Sequence, residues 1–295
     1  MSRKRKLVTS RFSVCSSSSP TSGLPPLRGF FFMKITLHLH ELTTCELCRI
    51  QVEFEARMLE DGDFHGCRSL LQQLFLKAKI DLSEMANTII SQNYIGSALK
   101  QIDIPEDDED DEMSDGDPVL GLITVINITD KQNVECVKQL KSMLMEKCQS
   151  CSQKNREKFA NILSDKDTQV GFLISERYIN IPPQISVPMF ETLLKEMEKC
   201  KRKNMKFNFD YYIAISKCYR PKGSDQMFYS NAEEEFLEKE SEFSFVYSVE
   251  SERDTIVDGK WDAEDQMEAL RTVFVIPSEN LSTIVENIKT ALSAT

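Results

Sequence analysis

The run VLGLITVINI at residues 119–128 constrains the fold of this chain more than any other stretch. A near-continuous apolar run of this length is typical of a β-strand that is covered on both faces. Such a strand requires helices on both sides of its sheet. Apolar residues recur at helical spacing in other stretches, for example from Val134 to Cys148 and from Leu281 to Leu292. We therefore predict an α/β fold, a three-layer sandwich with a mixed central sheet flanked by helices.

Other segments fit the same architecture. Further strands are predicted at 52–58, 170–175, 208–216, 243–249 and 271–276. The strand pairs near the end of the chain favour a mixed sheet over a purely parallel one. Further helices are predicted behind Asp63 and Ser83, around 159–163, after Pro182 and Pro183, and behind Ser278, with Asp63 and Ser278 as N-terminal caps.

The charge of the chain is unevenly distributed. Residues 1–50 hold eight Lys or Arg and two acidic residues, whereas residues 51–295 hold 28 and 45. A body this acidic repels phosphate backbones, so we predict no direct binding of nucleic acid and expect basic proteins as partners. Residues 1–50 are predicted to be a basic, Ser-rich, disordered segment, and residues 51–295 a single α/β domain. The cluster RKRK at 3–6 fits a nuclear-import signal, a plain exposed tail or part of a transit peptide.

Cysteine usage and hydropathy indicate the cellular compartment of the chain and its relation to membranes. Nine cysteines are an odd number in a large chain without a convincing secretory signal, which indicates reduced thiols in the cytosol or nucleus. The longest apolar run, at 29–39, contains Lys34 and His38 and is shorter than the ~20 residues that span a bilayer. We therefore predict no disulfide framework, no transmembrane helix and no membrane partner.

The usual signatures of catalysis are absent from the sequence. All three histidines lie at or before His65, so a histidine base would have to come from the N-terminal region. The chain has no GxSxG motif, no GxxxxGK[ST] phosphate loop and no GxGxxG after a strand. The sequence motifs that usually indicate hydrolase, nucleotide-binding and dinucleotide-binding functions are therefore missing.

Two groups of cysteines could bind a metal or be structural. His38, His40, Cys45 and Cys48 supply four soft ligands within eleven residues, but their spacing matches no familiar zinc finger. Alternating histidines equally suit a strand with outward polar positions. The CxxC at 148–151 lies at a predicted helix junction, where small buried thiols are the common explanation. We predict no metal site.

An acidic loop is predicted at 105–118, where nine of the twelve residues between two prolines are carboxylates. A calcium loop is disfavoured, because aligning its glycine on Gly116 places Met113 at a ligand position. The run is either a solvated loop or a polyanion that steers basic partners with strong salt dependence. Ser114 is a candidate phosphorylation site. The candidate partner-binding residues here are Glu106, Asp107, Asp108, Glu109, Asp110, Asp111, Glu112, Asp115 and Asp117.

Two further stretches are candidates for an ordered contact surface. The cluster NAEEEFLEKE at 231–240 interleaves acids with apolar residues, although it could equally be a solvated helix or strand edge. The corner after the strand at 170–175 follows a strand end, a place that often carries function in α/β folds. Its asparagine and prolines could also simply build a turn. The ordered candidates, all expected to be exposed, are Arg177, Tyr178, Asn180, Glu233, Glu234 and Glu235.

Seven segments, in consistent order between residue 52 and about residue 293, carry a resemblance to a known family. They are SLLQQLFLKA at 69–78, QNYIGSALKQ at 92–101, GLITVINIT at 121–129, VGFLISERYINIPPQI at 170–185, SNAEEEF at 230–236, GKW at 259–261 and LRTVFVIP at 270–277. Together they resemble the BCCIP family, described as interactors of a breast-cancer susceptibility protein and a cyclin-dependent-kinase inhibitor.

The resemblance implies a non-enzymatic, distantly acetyltransferase-like α/β protein, mainly nuclear with some in the cytoplasm. It implies a chaperone that escorts a basic large-subunit ribosomal protein, with links to DNA repair and cell-cycle control. The alternatives are a regulatory adaptor for repair and cell-cycle proteins, or a diverged acyltransferase-like enzyme. Gln92–Gly96 departs from the acetyltransferase phosphate-binding pattern and precedes a predicted strand, so we predict no cofactor. Residues 8–50 depart from the family's acidic N-termini, as a mispredicted exon or retained intron would explain.

Overall fold

The computed structural model describes residues 15–16, 33–34, 53–102, 118–252 and 267–293. Its strands are β1 (Cys15–Ser16), β2 (Met33–Lys34), β3 (Glu53–Arg57), β4 (Ser97–Ile102), β5 (Gly121–Asn127), β6 (Val170–Arg177), β7 (Tyr211–Pro221), β8 (Phe228–Tyr229), β9 (Phe243–Ser248) and β10 (Met267–Pro277). Its α-helices are α1 (Phe64–Phe75), α2 (Leu82–Ser91), α3 (Glu135–Lys147), α4 (Gln153–Ser164), α5 (Ser186–Arg202), α6 (Glu234–Lys239) and α7 (Leu281–Ser293).

One sheet contains all the strands from β3 onward. Its order is β3-β4-β5-β6-β7-β10-β9, and β8 pairs with β7. Neighbouring strands in this sheet run antiparallel, except for the parallel pair of β6 and β7. The two-residue strands β1 and β2 pair separately with each other. The prediction of a mixed sheet is confirmed.

Helices cover both faces of the sheet. All seven residues of β5 are buried, as the apolar run predicts. Leu122 and Ile126 of β5 pack into a core with α1, α2, α3 and α4. Ile123 and Val125, which point to the other face, pack into a second core with α5, α6 and α7. The predicted three-layer sandwich is therefore confirmed, because a strand with period-two side chains needs an apolar partner on each side.

Helix α1 begins directly behind Asp63, as predicted, but the Asp63 side chain does not cap it. The expected capping role of Asp63 is wrong, because no hydrogen bond runs from the helix to its side chain. The Asp63 carboxylate instead lies 2.5 Å from the Lys100 ammonium on β4 and accepts the backbone N–H of Glu60 at 2.9 Å. The side chains of Asp63 and Lys100 are 1% and 3% exposed. A fully buried cation on the adjacent sheet binds the carboxylate more strongly than a helix terminus does.

Two other helices, α2 and α7, begin at residues that differ from the predicted ones. α2 begins at Leu82, because the carboxylate of Asp81 accepts the backbone N–H groups of Ser83 and Glu84 at 3.0 and 2.9 Å. Before α7, Ser278 opens a 3₁₀ turn that ends at Asn280, and the α-helix begins only at Leu281. Sequence periodicity thus located these helices but not their first residues.

Candidate functional site: the cleft where β6 and β7 separate

The parallel strands β6 and β7 stay together for only part of their length. They pair through Val170–Leu173 and Tyr211–Ala214. Further along, β7 pairs with β8 instead, with Cys218 opposite Tyr229. In α/β folds, ligands are commonly bound beyond the carboxyl ends of parallel strands. The separation of β6 from β7 therefore marks a candidate binding region.

A cleft of about 320 Å³ lies at this separation. Its walls combine three basic side chains with aromatic, aliphatic and amide groups. The lining residues that matter here are Arg177, Tyr178, Ile179, Lys217, Tyr219 and Arg271. Because the cations come from β6, β7 and β10, strands on both sides of the separation line the cleft.

The chain that follows β8 bridges the separated strands. The backbone N–H of Ser230 donates to the carbonyl of Lys217 on β7 at 2.8 Å. Three residues later, Glu233 binds Arg177 at the end of β6: Arg177 Nη2 donates to Glu233 Oε2 at 3.0 Å, and Nη1 donates to the other carboxylate oxygen. Arg177 Nε also donates to the carbonyl of Ile181 at 3.3 Å. This two-point contact holds the segment after β8 against the end of β6, since a guanidinium matches a carboxylate in shape and charge.

The other two cations of the cleft also have internal partners. Lys217 Nζ lies 2.6 Å from Glu176 Oε2. Arg271 donates from Nε and Nη2 to the carbonyls of Leu74 and Gln73, each at 2.9 Å, and so ties β10 to the end of α1. The protein thus uses all three cations to fasten its own elements around the cleft.

Two buried carboxyl groups with raised pKa values contact the lining residues Lys217 and Asn231. Burial is the main cause for both Glu176 and Glu234. Lys217 opposes the rise in the pKa of Glu176, whereas the negative charge of Glu176 adds to the rise in the pKa of Glu234. Glu234 accepts a hydrogen bond from Asn231 Nδ2 at 3.0 Å, and its other oxygen is buried without a hydrogen-bond partner. A protonated Glu234 satisfies this arrangement better than a charged one.

Replacing Glu234 with glutamine should stabilise the protein near neutral pH. Its raised pKa means that the folded protein retains a proton that the unfolded chain releases above the usual value of about 4.5. Stability from this group therefore falls as pH rises from that value toward the folded pKa. Gln keeps an acceptor for Asn231 and removes the titration, so we expect about 1 kcal/mol or more of added stability at pH 7.

Urea unfolding of the wild type and the Glu234→Gln variant between pH 5 and pH 8 measures this difference. The matched control is Glu235→Gln, since Glu235 lies next in the chain but is exposed. A gain in stability that does not grow with pH, or one that the Glu235 variant shares, would contradict the assignment of Glu234.

The ordered candidate residues are only partly where the sequence led us to expect them. Asn180 and Glu235 are exposed, and Tyr178 is half-buried on the cleft wall. The expected exposure of the other three residues is wrong: Arg177, Glu233 and Glu234 are 8%, 3% and 4% exposed. Their charges pair with each other or with buried groups, because the chain after β8 folds into the gap between the separated strands. These charges therefore have a structural role, and the role of the three residues in direct partner contact stays a prediction.

The candidate residues of the acidic loop lie outside the described residues, as do Ser114 and the proposed soft-ligand group at 38–48. The described residue Leu120, just after the acidic loop, is nevertheless informative. Its carbonyl accepts the backbone N–H of Tyr178 at 3.0 Å, and Gly121 pairs with Arg177. The residues that follow the acidic loop in the chain therefore join the sheet directly beside the cleft.

Sequence reasoning missed two exposed apolar residues at the cleft. Ile179 is 83% exposed and lines the cleft beside Tyr178. Phe228 is 44% exposed and pairs through β8 with Tyr219, another lining residue. The signal for Ile179 was its position between two polar candidates. Phe228 gave no signal, because a two-residue strand produces no periodicity.

Some predicted absences can be examined in the described part of the chain. There, no helix is long and apolar enough to cross a bilayer. The described residues also contain no cluster of three or more potential metal ligands. Gln92 is buried and donates to the carbonyl of Val125 at 2.8 Å, and the predicted strand after Gly96 is present as β4. The distant acetyltransferase-like character stays a prediction.

The fold and the cleft define an α/β protein with a mixed eight-stranded sheet and a cleft fastened by its own ion pairs. The family model for BCCIP matches residues 49–244. The chain belongs to the BCCIP family.

Named relatives and one solved structure agree with this assignment. The chain is 38% identical over 259 residues to the "BRCA2 and CDKN1A-interacting protein" of Bos taurus, covering 83% of this chain and 84% of the relative. It is 38% identical over 250 residues to the "Protein BCCIP homolog" of Danio rerio, covering 80% and 82%. The crystal structure of BCP1 from Saccharomyces cerevisiae shares the fold, with a TM-score of 0.57, 18% identity and coverage of 81% and 88%. These names describe interacting proteins and not enzymes.

Proposed function

We propose that this chain is a non-enzymatic chaperone and adaptor that binds and escorts a basic ribosomal protein of the large subunit in the nucleus. The observation that carries the proposal is the acidic body of a BCCIP-family fold: residues 51–295 hold 45 acidic residues against 28 Lys or Arg. A body of this charge attracts and shields a basic client before the client reaches its final binding site. We propose that the chain is mainly nuclear, with some in the cytoplasm.

The rim of the cleft is the ordered surface best suited to hold such a client. Ile179 and Phe228 provide exposed apolar contact, and Tyr178 on the cleft wall provides a half-buried ring. Aromatic and aliphatic anchors at the centre of a contact contribute most of the affinity of protein complexes. The carboxylates of 106–117 precede Leu120 in the chain, whose carbonyl binds the rim residue Tyr178, and they supply the charge. The apolar contact at the rim thus provides specificity for the client, and the charge of the acidic loop provides long-range attraction.

A second proposal is a regulatory adaptor for repair and cell-cycle proteins. The observation that favours it is the printed name of the mammalian relatives, which describes interaction with BRCA2 and CDKN1A. This role is compatible with the first, because one acidic protein can serve several basic partners at different times. A diverged acyltransferase-like enzyme is the remaining alternative, and binding of coenzyme A would distinguish it.

Co-expression of the full chain with individual basic large-subunit ribosomal proteins tests the first proposal. We expect one such client to stay soluble and to co-elute at moderate salt. An Ile179→Ser variant should lose co-elution, whereas Asn161→Ser on the exposed surface of α4 should retain it. Precipitation of every client, together with a rise in melting temperature on adding coenzyme A, would overturn the chaperone proposal in favour of the enzyme.

The acidic loop should contribute through charge alone. Replacing residues 106–117 with an uncharged Gly/Ser linker of equal length removes nine carboxylates. We expect client capture to weaken strongly at low salt and only slightly at high salt, because the Debye length shrinks from about 30 Å at 0.01 M to about 3 Å at 1 M. Binding rates at several salt concentrations measure the effect. An equal loss at all salt concentrations would contradict a steering role.

A further inference from the structure

A pair of cysteines meets where α3 ends and α4 begins. Cys148 opens a 3₁₀ turn directly after α3, and Cys151 ends that turn. The two Sγ atoms lie 3.3 Å apart, with the Cys148 thiol placed to donate to the sulfur of Cys151. The backbone N–H of Cys151 also donates to the carbonyl of Cys148 at 3.0 Å. The turn therefore holds both thiols in contact without any other element.

The backbone of this turn already has the reach of a disulfide. A turn closed by an i to i+3 hydrogen bond brings its end Cα atoms within about 7 Å. Disulfides span Cα separations of about 4.4–6.8 Å. Bond formation therefore requires a small approach of the two sulfur atoms and no rearrangement of α3 or α4.

The two thiols have different surroundings. Of the six cysteines whose side chains the structure describes, five are buried and Cys151 alone is partly exposed. It immediately precedes Ser152, the N-terminal cap of α4, whose hydroxyl accepts the backbone N–H of Asn155 at 3.3 Å. Burial and the hydrogen bond to Cys151 raise the pKa of Cys148 to about 12, so Cys148 remains the proton donor.

We propose that Cys148 and Cys151 form a reversible dithiol–disulfide pair that is oxidised by hydroperoxides. The Cys151 thiolate attacks the O–O bond of hydrogen peroxide, which gives a sulfenic acid on Cys151 and releases hydroxide. The sulfur of Cys148 then attacks the sulfenic sulfur and displaces its hydroxyl, which leaves as water with the proton of the Cys148 thiol. The proton that Cys151 gave up on forming its thiolate neutralises the hydroxide, so the two thiols lose two electrons in total and the peroxide is reduced to two molecules of water.

Peptide mapping of the full chain tests the pair directly. Trypsin cleaves after Lys147 and Lys154, and the peptide between them, CQSCSQK, contains both cysteines and no others. After brief exposure to hydrogen peroxide and alkylation, we expect this peptide to be unalkylated and lighter by two hydrogen atoms. Reduction before alkylation should restore the doubly alkylated form. A peptide that stays doubly alkylated, or carries a sulfinic acid, overturns the proposal.

Single variants separate the attacking cysteine from the resolving one. In Cys148→Ala, the sulfenic acid on Cys151 has no partner, so dimedone should label Cys151 at least several-fold more than in the wild type. In Cys151→Ala, Cys148 should remain unlabelled because it is buried. The buried-cysteine control Cys200→Ala should leave the disulfide of the 148–154 peptide unchanged. Equal dimedone labelling of Cys151 in the wild type and in Cys148→Ala overturns the resolving role.

Discussion

Replacing Arg177 with methionine should lower the free energy of unfolding by about 3–5 kcal/mol, because it leaves a buried carboxylate without its cation. Glu233 is 3% exposed and receives two hydrogen bonds from this guanidinium. Methionine retains much of the side-chain volume of arginine, so the loss of stability reflects mainly the removed charge. Equilibrium unfolding in urea, with the slope checked against the wild type, measures the change.

The partner of Arg177 provides the internal control for this prediction. The double variant Arg177→Met/Glu233→Met removes both charges, and apolar replacement of a complete buried pair is often nearly neutral. We therefore expect the double variant to be more stable than Arg177→Met alone, a coupling that a double-mutant cycle quantifies. The neighbouring exposed position gives the matched surface control, since Glu235→Gln should change stability by less than about 0.5 kcal/mol. A double variant as unstable as the sum of its single variants would contradict the buried pair.

The second large effect is expected at Lys100. Its ammonium lies 2.5 Å from the carboxylate of Asp63, and both side chains are almost fully buried. Lys100→Met should cost about 3–5 kcal/mol, because Asp63 then remains buried without its cation. The change would also disturb the turn before α1, where Asp63 accepts the N–H of Glu60. Thermal unfolding followed by circular dichroism provides the measurement.

A surface lysine shows whether the effect of Lys100 depends on burial. Lys166 is exposed in the loop between α4 and β6, so Lys166→Met removes one positive charge without breaking a buried ion pair. We expect Lys166→Met to stay within about 0.5 kcal/mol of the wild type. Asp63→Asn should cost a similar amount to Lys100→Met, since it leaves the Lys100 ammonium buried without its anion. Equal losses at Lys100 and Lys166 would refute the buried pair.

The layered architecture followed from local patterns in the sequence. The run at 119–128 reported burial on both faces, and the structure places β5 inside the sheet with all seven residues buried. Helical spacing located α3, α5 and α7 because a helix that covers a sheet must present an apolar stripe along its length. The first turns of α1 and α2 show where this reasoning loses accuracy, since the Asp63 side chain bonds to the sheet instead of capping α1, and α2 begins at Leu82, before Ser83.

The candidate site could be predicted only in outline. The corner after β6, which the sequence singled out, contributes Tyr178 to the cleft wall, and Asn180 in the same corner is exposed. Charge alone suggested that Arg177 and Glu233 face solvent, because charged residues are rarely buried unless they are paired. Their pairing joins positions 56 residues apart, a distance that no local pattern spans. The cleft itself depends on where β7 leaves β6 and joins β8.

The sequence by itself determined the α/β class, the family, the acidic character of the body and the positions of most strands. These properties depend on composition, on side-chain periodicity and on segments read one at a time. Only the tertiary structure decided which charges are exposed, which are structural, and that Cys148 and Cys151 touch. Those properties depend on contacts between distant elements or on the detailed geometry of a turn. The free energy of a buried charge is set by its partner in space and not by its neighbours in the chain.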